Sequence, residues 1–149
     1  MREGPARPHA FKGLRSMIVK SVLAMILTAG LATGAVTAAE RAAHIMRMDD
    51  IDAARYDIED GAAAKSAEQV QKGTTAVGDL LRAERAYFVK GGADDATAAL
   101  DKTVGILRDI DAAAKAGDFT TVSARYADLQ ASCTACHDLK ADDRIKVEG

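Results

Sequence analysis

The chain contains no tryptophan, and its 149 residues hold three tyrosines, three phenylalanines, two prolines and two cysteines. Both prolines, Pro5 and Pro8, fall in the first ten positions, so nothing from Glu40 onward carries the residue that most strongly breaks a helix. No stretch alternates apolar and polar residues as a half-buried strand does. A core with so few aromatics must be built from Ala, Leu, Ile and Val, and such a core leaves room for something bulky to be buried.

The first part of the chain reads as a targeting segment to be set aside before any fold reasoning. Arg2, Arg7, Lys12, Arg15 and Lys20 form a basic leader, followed by the uncharged run "SVLAMILTAGLATGAVTAA". That run ends in Val36-Thr37-Ala38, a small-residue cleavage pattern, so residues 1–38 are expected to be a signal peptide and 39–149 the mature domain. Met17 opens a compact version of the same signal and is an alternative start. The competing reading is an uncleaved anchor, since the apolar run approaches spanning length. Gly30, Gly34 and the Ala/Thr content favour processing. Export, and a periplasmic location, is the expectation.

From Ala39 the chain holds 15 basic and 21 acidic residues, a net formal charge of −6. That balance is wrong for nucleic acid, whose affinity comes from basic residues. A protein partner with a basic docking surface suits it better. About 110 residues make one domain.

Breakers stand at Lys65-Ser66, Gly91-Gly92-Ala93-Asp94 and Gly117-Asp118. Ser66, Asp94 and Asp118 are good N-cap residues, and Gln69 three places after Ser66 resembles a capping box. The spacing predicts four helices, about 40–64, 67–90, 95–116 and 119–140, joined by short loops. The fold class is therefore all-α, an antiparallel up-down-up-down four-helix bundle. Gly61 is the weak point of the first helix. Apolar stripes at spacings of three and four run through each helix. The last one reads Val122, Tyr126, Leu129, Cys133, Cys136, so both cysteines extend a core stripe.

Those cysteines belong to "SCTACHDL", a Cys-x-x-Cys-His run. This is the attachment signature of a c-type haem. Two thiols one turn apart can bond the two vinyl groups of a haem, and His137 beside the second is then delivered to the iron as proximal ligand. A thioredoxin-like pair would need a βαβ setting. Zinc would need more ligands than His44 can add. A plain disulfide, compatible with export, leaves His137 unexplained. Haem c, attached through Cys133 and Cys136, is the reading carried forward. In an antiparallel bundle, residues near 44–51, 84–88 and 96–104 would surround it. Phe88, Leu100, Tyr126 and Leu129 are then candidate walls, with Val104 a further one or ordinary core.

The stretch "KAGDFTTVSARYADLQASCTACHDL" resembles the last helix of the class II cytochromes c, the cytochrome c′ family, in its Gly-Asp turn, helix length and terminal motif. The resemblance is specific over residues 115–139 and architectural over 40–114. The aromatic and basic residues usual three and four places after the histidine are replaced by Lys140 and Ala141. Members of the family divide into electron carriers with a methionine from the first helix on the iron and five-coordinate proteins that bind NO or CO. They are often homodimers through helices 1 and 2.

At the corresponding place this chain reads "ERAAHIMRMDDID". Taking Ile51 as reference at about 100° per residue, Met48 lies about 60° away, His44 about 20° and Met46 about 140°. Met48 is the expected sixth ligand, with Met46 and His44 as alternatives. If none binds, an aliphatic such as Ile45 or Ile51 would stand over the iron. Arg41 and Arg47 are candidate partners of a haem propionate. The whole reads as a one-electron carrier serving the redox proteins of a periplasmic chain. The alternatives are a five-coordinate gas-binding haem protein and a subunit docked to a membrane complex. No acid–base or nucleophile arrangement accompanies the motif, so no enzymatic activity is expected.

Overall fold

A computed structural model describes residues 34–148, so the targeting segment expected at the start lies outside the described residues as far as Thr33. The described residues form an all-helical domain of four helices: α1 (Ala38–Ala63), α2 (Ala67–Lys90), α3 (Asp94–Lys115) and α4 (Phe119–Asp138). A 3-10 turn (Ala141–Arg144) follows, and two short strands, β1 (Val36–Thr37) and β2 (Val147–Glu148), pair in parallel. Among the described residues, no helix is long and apolar enough to cross a membrane.

The helix ends follow from local chemistry. Ser66 accepts a hydrogen bond from the Gln69 amide (3.3 Å), and Asp118 accepts one from the Thr121 amide (3.0 Å). Each satisfies an amide that the helix itself leaves unpaired. At α3 the structure differs from the expected cap. Asp94 is the first helical residue, Ala93 holds the cap position without a side-chain bond, and Asp94 and Asp95 place negative charge in the first turn. Gly92 and Gly117 take the left-handed conformation (φ 70° and 73°) in the turns. Glycine adopts it without the steric cost other residues incur.

Gly61 does not end α1, which continues to Ala63. Its value is closeness: a Cβ there would come within 2.7 Å of the Val70 amide nitrogen. Gly73 on α2 reciprocates, since a Cβ on it would fall 2.8 Å from the Ile58 backbone nitrogen. Two glycines thus let α1 and α2 approach at backbone distance.

Along the same pair of helices Glu40 meets Lys90 (2.7 Å) and His44 meets Glu84. Tyr126 of α4 reaches Arg55 (3.1 Å) and Glu59 (3.0 Å) on α1. Thr103 of α3 and Ser132 of α4, both buried, share a hydrogen bond of 2.7 Å. The core these contacts enclose is aliphatic, centred on Ile58, Ile110, Leu129, Val70, Val77 and Val122.

The chain beyond α4 folds back over the end of the bundle. Lys140 turns it through a left-handed conformation (φ 47°), Ala141 and Ile145 are buried, and Ile145 lies where a Cβ on Gly91 would stand. Arg144 fastens to Asp95 (2.8 Å), and the Val36 amide donates to the Lys146 carbonyl (3.0 Å).

Candidate functional site

The motif residues sit on the last two turns of α4, where Cys133 and Cys136 are half-buried and His137 is exposed. Their spacing turns both thiols toward one cavity of about 560 Å³, within the size range of cofactor sites. The apolar part of its lining comes from Met48 and Ile51 of α1, Leu81 of α2, Leu100 of α3 and Leu129 of α4. Cys133, Cys136 and His137 line the same space, with Asp49, Asp52, Arg55 and Asp138 as its charged members. One cavity therefore gathers both thiols, the histidine, one methionine and an aliphatic surface from all four helices.

Both thiols are free. Burial pushes each above the ordinary cysteine range, and for Cys136 the neighbouring Cys133 adds to the rise. They are neutral thiols at physiological pH.

A second, smaller cavity of about 90 Å³ adjoins the same residues and is lined by Met48, Cys136 and His137 together with His44, Phe88 and Asp142. Met48 faces both spaces, as does His137. Met46 points away, 67 % exposed, and Ile45 is 55 % exposed. Two positions separate Met46 from Met48, and two helical positions carry a side chain to the other side of the axis.

His44 is only 4 % exposed and both its ring nitrogens are engaged. Nδ1 bonds Glu84, Nε2 lies 2.9 Å from Asp142, and the ring stacks on Tyr87 with centroids 4.4 Å apart. Arg47 donates to the other oxygen of Glu84, a carboxylate with no exposed surface. His44 thus sits between two carboxylates. Burial works against its charged form, but the hydrogen bonds to Glu84 and Asp142 outweigh it and hold the pKa above the ordinary histidine value. The ring of His137, in contrast, makes no hydrogen bond among the described residues.

Two of the expected walls do not line the larger cavity. Phe88 packs edge-on against His44 and Tyr87 and lines the smaller cavity, while α2 contributes Leu81 to the larger one, two turns earlier. Tyr126 is buried, but its hydroxyl joins Arg55 and Glu59, and Arg55 carries that network to the larger cavity. Leu100 and Leu129 are on its wall. Val104 lies in a separate groove between α2 and α3. Arg41 donates to the Asp142 carbonyl (3.1 Å), so both it and Arg47 already have partners. Leu81 and Arg55 were missed from sequence. Leu81 stood in the apolar stripe of its helix with nothing to single it out, and Arg55 resembled any solvated helix charge.

Among the described residues, no three His, Cys, Asp or Glu side chains gather to hold a bare metal ion. Comparison with protein-family models, with curated proteins and with solved structures gives no match for this chain.

Proposed function

We propose that this chain is a monohaem c-type cytochrome that carries single electrons, with haem c bonded through Cys133 and Cys136 and held in the larger cavity. The observation that carries the reading is the convergence of both thiols, His137 and Met48 on one aliphatic cavity of about 560 Å³. Haem iron supplies reversible one-electron chemistry when bound. The residues that would hold it are His137 and Met48 at the iron, with Ile51, Leu81, Leu100 and Leu129 around the ring. Exclusion of water by such walls raises the reduction potential.

The resemblance of residues 115–139 to the class II cytochromes c supports the same reading. The pairing of Glu40 with Lys90, and of Ile58 with Gly73, agrees with the antiparallel course expected of that bundle. His44 is set aside as a ligand because two carboxylates occupy its nitrogens. Met46 is set aside by its exposure. Asp49, Asp52 and Asp138 on the cavity lining suit a redox partner with a basic docking surface.

The test is covalent haem retention. The full chain is co-expressed with haem-attachment machinery in a bacterial periplasm, and haem is followed on the denatured polypeptide. Haem that stays with the chain and is lost in the Cys133→Ala, Cys136→Ala double variant supports the reading. A chain that retains none overturns it.

A further inference from the structure

The Val36-Thr37-Ala38 pattern that marks a cleavage site in the sequence is also part of the folded domain. Val36 has no exposed surface, its amide donates to the Lys146 carbonyl (3.0 Å), and it pairs in register with Val147. Thr37 is the N-cap of α1. Its hydroxyl accepts from the Glu40 amide (3.2 Å), while the Glu40 carboxylate accepts from the Thr37 amide (2.7 Å), a complete capping box. The same carboxylate is gripped by Lys90 (2.7 Å).

A cut after Ala38 would remove all of this. The parallel strand pair and the buried valine would go, and so would the cap. The new α-ammonium would stand at the start of α1, where the helix dipole already concentrates positive charge. A cut after Ala35, at Thr33-Gly34-Ala35, spares the cap but turns the buried, hydrogen-bonded Val36 amide into a charged terminus, which burial penalises. The small-residue patterns that spare both are Ala32-Thr33-Gly34 and Gly30-Leu31-Ala32, each ending before Ala35.

We infer that the leader is removed before Ala35, after Gly34 or after Ala32, so that Val36 and Thr37 remain on the mature protein as its N-terminal clasp. This rests on the export reading. The clasp ties the entry of α1 to the segment beyond α4, and so closes the chain around the end of the bundle that carries the Cys-x-x-Cys-His motif.

The experiment is the intact mass of the full chain purified from the periplasm of an expressing host. A mass beginning at Thr33 or at Ala35 is expected. A mass beginning at Ala39 or Val36 overturns the inference, and a mass retaining the whole leader overturns the reading that the leader is removed along with it. A second measurement stands apart from export in the native form. Chains starting at Thr33 and at Ala39 are each produced behind an unrelated leader and melted as holoproteins. Loss of a cap and of a buried valine should lower Tm by roughly 10 °C or more in the shorter chain. Equal melting temperatures would remove the reason for the clasp and sink the inference.

Discussion

The imidazole of His44 lies flat on the ring of Tyr87, within 3° of parallel, and is held there by Glu84 from α2 and Asp142 from the segment beyond α4. One side chain thereby joins three separated parts of the chain. The charged groups facing it are Glu84 and Asp142, with Arg47 and Arg41 bound in turn to those residues. Because its folded pKa lies above the ordinary value of 6.5, the protonated ring stabilises the fold fully below about pH 6.5. That contribution is lost as pH rises through the folded value. Urea midpoints of the wild type should therefore fall on the alkaline side of pH 6.5, and His44→Gln should flatten that fall. Glu84→Ala leaves His44 and Arg47 facing a buried void and should cost about 3 kcal/mol or more, read from the same denaturation curves.

None of this cluster was visible in the sequence as a cluster. His44 and Asp142 stand far apart along the chain, and no local period connects them. The four helices, by contrast, were legible within a few residues, because Ser66, Asp118 and the glycine turns act locally and the apolar stripes repeat at helical spacing. The cysteines and His137 were legible because their chemistry is written in adjacent positions. The strand at Val36 and Thr37 was not legible, because two residues are too few to show a period and the partner Val147 lies at the other end of the domain. Asp94 misled for a related reason. Two acids in a row suit both a cap and a first turn, and the chain uses them for the first turn.

Gly73 and Gly105 are both helical glycines, and they should respond to alanine in opposite directions. A Cβ on Gly73 collides with Ile58 at 2.7 Å, so Gly73→Ala should destabilise by about 1–3 kcal/mol despite its better helix propensity. Nothing stands within 4 Å of a Cβ on Gly105, so Gly105→Ala should stabilise by about 0.5–1 kcal/mol. Thermal melts of the two variants check both signs at once.

Ile145 covers Gly91 and is nearly fully buried although it lies beyond the last helix. Ile145→Ala should cost about 2–4 kcal/mol, as for other buried aliphatics cut to alanine. Because Asp142 is carried by the same segment, hydrogen exchange should quicken at the start of α1 as well as at the C-terminus. Exchange confined to the last residues would contradict the packing described above.

The central claim is that Met48, and neither Met46 nor His44, would share a bound haem iron with His137. The most direct measurement is the electronic and EPR spectrum of the oxidised holoprotein, beside Met48→Ala, Met46→Ala and His44→Gln. A low-spin spectrum with the methionine–iron charge-transfer band is expected in the wild type, in Met46→Ala and in His44→Gln, and its loss in Met48→Ala alone. A high-spin wild type unchanged by Met48→Ala would contradict the assignment and turn the reading toward a five-coordinate protein that binds NO or CO.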